Sequence, residues 1–246
     1  MTSVSIAWLL FLGFGLGLKH ATEPDHLAAV STIVSDRKSV WSSSIIGALW
    51  GVGHTVSLLI AGILVIWLRF EISERLANAL EFCVALMLIA LGLDTLRKLH
   101  RGGQLHWHVH EHGGLKHAHP HVHDEASAHS TEPESSKTHH GLKLAKRPLI
   151  VGMIHGLAGS GALMLLILST VSSRAVGITY ILVFGLGSIG GMMIMSMLFG
   201  LPFHFTANRF ARFDRALRLA AGVFSLGFGC FLAYEIGTGT TLFTSA

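Results

Sequence analysis

The chain has 246 residues, of which 51% are hydrophobic and only 13% charged, and its mean hydropathy is +0.58. That balance excludes a soluble globular domain and a disordered polar chain, and implies a protein that sits in a lipid bilayer. The formal net charge of +4 comes from Lys and Arg gathered beside apolar segments, so it is a topology signal and not the footprint of a nucleic-acid partner.

Apolar stretches long enough to cross a bilayer core fall at about 4–19, 44–68, 77–96, 148–171, 175–201 and 216–236, which predicts six spans. The first has no basic stretch before Trp8 and no small-x-small cleavage pattern, so it is expected to be a retained helix. It runs into His20-Ala21-Thr22-Glu23-Pro24-Asp25-His26. Two imidazoles and two carboxylates are costly at membrane depth and mark a functional site. Their nitrogen and oxygen donors suit a borderline divalent transition metal. On an intact helix His20 and His26 would lie about 120° apart around the axis, and residues 4–34 as one helix would extend about 45 Å. Pro24 removes a backbone donor and disfavours helix at Glu23. A break there is what would let His20, Asp25 and His26 converge, with Glu23 as a further ligand or a proton carrier.

In the second span, Trp50-Gly51-Val52-Gly53-His54 places a histidine beside Thr55 and Ser57. His54 has two readings, a ligand or a hydrogen-bonding group across a helix interface. Cys83 in the third span and Cys230 in the sixth have no neighbouring thiol and are expected to be packing residues. Between the third and fourth spans, residues His100 to His140 hold 12 of the 17 histidines, including His106, His108, His110, His112, His117, His119, His121 and His123. This polar, low-complexity segment is expected to be disordered without ligand and to offer accessory metal-binding imidazoles. His155 opens the fourth span and is followed by Gly156, Gly159 and Gly161, a predicted second helix break. His204, after Pro202 near the end of the fifth span, carries less weight.

The halves resemble one another. His20 to Arg37 is similar in pattern to His155 to Arg174; Trp50 to His54 corresponds to Phe184 to Ser188, and Leu91-Gly92 to Phe228-Gly229. Three spans per half is an odd number, so the halves would run in opposite senses, as in the inverted repeats of secondary transporters. The predicted fold is an all-α membrane protein of six transmembrane helices, with helices 1 and 4 broken. Its units would be a first repeat over 1–99, a histidine-rich loop over 100–147 and a second repeat over 148–246. Of the 18 Lys and Arg, 15 fall on one side of this scheme. The positive-inside rule makes that side cytoplasmic, with the loop inside and both termini outside a cytoplasmic (inner) membrane.

The string His20 to Leu27 resembles the HAxDADHI signature of the nickel/cobalt transporter family, with Glu23, Pro24 and Leu27 as departures, and Gly53-His54 is similar to that family's glycine-histidine element in the following helix. The resemblance is to the shorter six-span branch, which includes UreH-like urease accessory membrane proteins; related exporters share a histidine-rich loop. It implies metal recognition by His20, Asp25 and His26 with His54 as second-helix partner. The acidic Phe-Asp-Thr signature of the eight-span importers has no counterpart in Gly185 to Met195. The expectation is a transporter of Ni2+ or Co2+, with no prosthetic group and no nucleic acid, partnered by the metal ion, the bilayer and nickel-enzyme maturation proteins. Uptake that supplies urease or another nickel enzyme is the leading reading; efflux for metal tolerance and a non-transporting metal-binding accessory role are the alternatives. No His-Glu-x-x-His pattern or G-x-x-x-x-G-K-[ST] loop occurs, so an enzyme is not expected.

Overall fold

The computed structural model describes residues 3–37, 39–68, 73–101, 105–112, 115–122, 140–158, 173–206 and 210–239. Among them the chain forms helices α1 (Ser3–His20), α2 (Pro24–Ser35), α3 (Val40–Leu68), α4 (Glu74–His100), α5 (His140–Ala158), α6 (Arg174–Thr206) and α7 (Ala211–Gly239). Strands β1 (Leu105–His112) and β2 (Leu115–Val122) lie between α4 and α5. Helices α3, α4, α6 and α7 are long and apolar enough to cross a membrane, and α1 is a shorter apolar helix. Large apolar side chains such as Trp8, Phe11, Trp67, Leu186 and Phe231 are more than half exposed. An outer surface of this kind belongs in lipid, and the fold is that of a multi-pass, all-α membrane protein.

The predicted break after the first helix is present. Helix α1 ends at His20, where Thr22 N–H donates to the Lys19 carbonyl at 2.9 Å and Glu23 N–H to the His20 carbonyl at 3.1 Å. Glu23 takes an extended conformation (φ −65°, ψ 147°), as a residue before proline should, and Pro24 starts α2, where its missing N–H costs nothing. Of the glycines expected to mark a second break, one lies among the described residues. Gly156 lies inside α5, which also starts at His140, ahead of the expected 148; Gly159 and Gly161 lie outside the described residues. Gly156 faces the His54 backbone and the Ser57 hydroxyl so closely that a Cβ would collide with both. Its lack of a side chain serves helix approach, not helix interruption.

Helix α3 packs along α6 and α5, α6 along α1, and α4 along α7. The closest approaches come in matched pairs. A Cβ on Gly17 of α1 would strike the Phe184 carbonyl of α6, and one on Gly152 of α5 would strike the Trp50 carbonyl of α3. Reciprocally, Gly53 abuts the Leu149 carbonyl and Gly187 the Phe14 carbonyl. Gly92 meets Gly222 and Leu226, while Gly229 meets Ala85 and Ile89. Small residues at these crossings let backbones approach where lipid provides no hydrophobic drive.

Charged residues collect at one end of the bundle. Lys98 pairs with Asp36 (2.7 Å) and Asp94 (3.2 Å), Arg147 with Asp94 (2.6 Å), and Arg218 with Asp36 (3.0 Å) and Asp214 (2.8 Å). The ends of α2 and α4 and the early turns of α5 and α7 therefore share one side of the molecule. Two expectations change. Cys83 and Cys230 are exposed on outer helix faces and do not pack in the interior. Part of the histidine-rich segment, expected to be disordered, forms an antiparallel hairpin in which His106 is opposite His121, His108 opposite His119 and His110 opposite His117. Its strict alternation of histidine with other residues has the period of a strand, and Gly113-Gly114 between the strands is a hairpin signal. His123 lies outside the described residues.

The glycine contacts carry a stability prediction. Gly152→Val and Gly187→Val should each lower the melting midpoint of the detergent-solubilised protein, by an amount equivalent to about 1–3 kcal/mol of overpacking. Gly227→Ala, where nothing lies within 4 Å of the added carbon, should leave the midpoint unchanged or slightly raised.

Candidate metal centre

The break brings the two ends of the His20 to His26 string together. The His20 and His26 rings have centroids 4.3 Å apart; His54 lies 5.0 Å from His20 and 5.5 Å from His26, and His155 lies 4.0 Å from His26. His26, His54 and His155 are fully buried and His20 is 3% exposed. The site is thus built from the end of α1, the start of α2, the middle of α3 and the last turn of α5. His20, Asp25 and His26, expected to converge at the break, lie together, and the candidates His54 and His155 lie beside them. His204 is exposed beside Phe205 and takes no part.

The two carboxylates are tied to the ring nitrogens. Glu23 Oε2 accepts from His20 Nδ1 at 2.9 Å. Asp25 Oδ1 accepts from His26 Nδ1 at 3.1 Å and from the His26 backbone N–H at 2.9 Å. Asp25 Oδ2 accepts from His155 Nε2 at 2.7 Å, joining α2 to α5. Helix α2 is too short to span.

Several buried nitrogens have no partner in this arrangement: His20 Nε2, His26 Nε2, both ring nitrogens of His54, and His155 Nδ1. Unpaired buried polar atoms cost free energy and require an explanation. Two triads have ligand atoms within 4.8 Å of one another, His20 with His26 and His54, and Asp25 with His26 and His155. Either is chemically able to hold a divalent ion through imidazole nitrogen.

The aromatic walls were not singled out as site residues by their sequence. Trp50 is buried and stacks on His26 at 5.3 Å, approaching His155 at 5.7 Å, and Phe184 lies 5.6 Å from His20. The signal for both lay in the repeat: Trp50 and Phe184 occupy corresponding positions, one turn before His54 and Ser188.

The chain is 38% identical to the urease accessory protein UreH of Bacillus sp. (strain TB-90) over 99% of its own length and 98% of that protein's. The chain belongs to the UreH family. Beyond UreH, it is 24% identical to chloroplast protein FOR GROWTH AND FERTILITY 1 of Arabidopsis thaliana, over 93% of this chain and 60% of that one. A shorter stretch, 37% of the chain, is 29% identical to 31% of the high-affinity nickel transport protein of Cupriavidus necator. No family model matches the chain, and no solved structure does.

In this UreH family member the Asp25–His155 bond is the link that fastens α2 across the site. A double-mutant cycle with Asp25→Asn and His155→Gln, read by unfolding in detergent, should give a coupling of about 1–2 kcal/mol. A coupling near zero would mean that the contact does not hold α2 in place.

Proposed function

We propose that this protein is a secondary transporter that takes up divalent transition-metal ions, nickel foremost and cobalt by the same chemistry, and supplies a nickel enzyme such as urease. The observation that carries this reading is the set of unpartnered, buried imidazole nitrogens around His20, His26 and His54, enclosed by membrane helices. Neutral imidazoles bind Ni2+ and Co2+ and discriminate against Mg2+ and Ca2+, which favour oxygen ligands. Asp25 and Glu23 offset the charge of a desolvated dication. Two relatives, a urease accessory protein and a nickel transport protein, point the same way.

In this reading the chain has six spans in two inverted repeats, and the ion passes near the midplane between them. The reciprocal glycine contacts support it, because Gly17 against Phe184 and Gly53 against Leu149 have counterparts in Gly152 against Trp50 and Gly187 against Phe14, at offsets of 134 to 135 residues close to the one that relates Trp50–Gly53 to Phe184–Gly187. The ion-paired end of the bundle carries Lys98, Arg147 and Arg218 from the basic side, so it faces the cytoplasm together with the histidine-rich loop, and both termini lie outside. The loop binds the arriving metal and hands it to maturation proteins. A dication entering through 100 mV gains roughly 4.6 kcal/mol, at about 2.3 per charge, which supports accumulation without nucleotide hydrolysis.

The test is whole-cell accumulation of radioactive nickel. Expression of the intact chain should raise cell-associated nickel, His20→Ala and Asp25→Ala should each reduce the gain at least tenfold, and deletion of 104–140 should alter retention more than initial rate. Normal uptake by the two point variants would overturn the site. Lower cell nickel together with increased metal tolerance on expression would overturn uptake in favour of export.

A further inference from the structure

Resting on the reading of this protein as a metal-ion path, we infer that the charged rim is the cytoplasmic gate of that path, closed by ion pairs between the two halves of the chain and parted to release the ion.

The pairs sort by half. Two of them cross: Asp94 of α4 meets Arg147 of α5 at 2.6 Å, and Asp36 of α2 meets Arg218 of α7 at 3.0 Å. The others stay within a half. Lys98 lies between Asp36 and Asp94 at 2.7 and 3.2 Å, and Arg218 holds Asp214 at 2.8 Å. Parting the halves therefore breaks two contacts and still leaves each carboxylate with a cation, since Asp36 and Asp94 keep Lys98 and Asp214 keeps Arg218. Of these six groups only Arg147 loses its partner, and its side chain is 55% exposed, so water can solvate it. Ion pairs at such exposure hold weakly. They suit a contact that opens repeatedly better than a permanent clamp.

What lies behind the rim gives the pairs something to close. They line a cavity of about 290 Å3 that reaches inward to Thr32, Ile33, Leu91, Thr95 and Pro148. Deeper still, Ala29, Val30, Leu88 and Val151 belong to one buried apolar cluster. Those four side chains offer a dication no polar group, and stripping its water there is prohibitive. Along α5, Arg147, Val151 and His155 follow one another at intervals of one turn. Rim, cavity, apolar layer and histidine cluster are thus stacked along the same helix, with α2 running beside it from Asp25 at the cluster to Asp36 at the rim. Movement of α5 and α7 away from α2 and α4 would part Val151 from Val30 and Leu88 and join the cavity to the cluster.

The experiment uses the full-length chain with Cys83→Ala and Cys230→Ala, which remove the exposed native thiols. In proteoliposomes, Asp94→Cys and Arg147→Cys are joined by a short reducible dithiol crosslinker, and Ni2+ entry is read by a nickel-quenched dye inside. Joining the halves should slow entry by about tenfold or more, and cleaving the link should restore it. Entry through fully crosslinked protein at the uncrosslinked rate overturns the inference. A second measurement needs no transport. Val151→Cys, in the apolar layer, is treated with a membrane-impermeant thiol reagent at the cytoplasmic face of inside-out membrane vesicles. Adding Arg147→Gln and Arg218→Gln, which removes both crossing pairs, should speed its modification by about tenfold. An unchanged rate also overturns the inference. Absence of Ni2+ entry through the uncrosslinked chain would instead defeat the transport reading, and the Val151→Cys rate then still tells whether the ion pairs hold the layer shut.

Discussion

A short apolar helix that stops at mid-structure, turns within three residues and restarts as a second helix imposes the arrangement of everything around it. Between His20 and Pro24 the backbone leaves helical geometry, and the groups released there must be satisfied inside the protein because lipid offers no partner. The turn closes on itself through the Lys19 and His20 carbonyls. It leaves His20 at the end of one helix and His26 in the first turn of the next, with rings 4.3 Å apart. No continuous helix could place them so. Asp25 then carries the constraint outward, because its bond to His155 ties the restarted helix to α5 from the other half of the chain.

Packing of the long helices makes room for this turn. Where α1 crosses α6 and α5 crosses α3, glycines let one backbone reach the carbonyls of the other. A larger side chain would spread the bundle and separate His54 from His20 and His155 from Asp25. Gly156 illustrates the coupling most directly, since the atoms that it accommodates belong to His54 and Ser57. At the other end of α2, Asp36 is held by Lys98 and Arg218, from α4 and α7. The short helix is thus anchored at both ends by polar contacts, in the site at one end and at a charged, more exposed rim at the other.

Much of the site was legible because its signals are local. A histidine, two carboxylates and a second histidine in seven residues need no alignment to stand out, and Pro24 names the place of the break. His155 became visible only through the repeat, since its partner Asp25 is 130 residues away. What could not be read was which nitrogen faces which oxygen, and that detail separates a ligand from a residue that holds one. Gly156 was misread for a physical reason: a glycine in an apolar helix serves either a break or a close approach, and only the neighbouring helix decides. The histidine-rich hairpin was missed because composition was weighed without its two-residue period. The rim escaped notice because Asp36, Asp94 and Asp214 do not enter a count of basic residues.

The central claim is that the orphaned imidazole nitrogens at the broken helix receive a divalent transition metal. The most direct test is anomalous scattering from crystals of the full chain grown with Ni2+, with data collected on both sides of the nickel absorption edge. A peak enclosed by the rings of His20, His26 and His54 is the predicted result. Nickel peaks confined to the histidine hairpin or to the Asp36–Asp94 rim, with none at the broken helix, would contradict it.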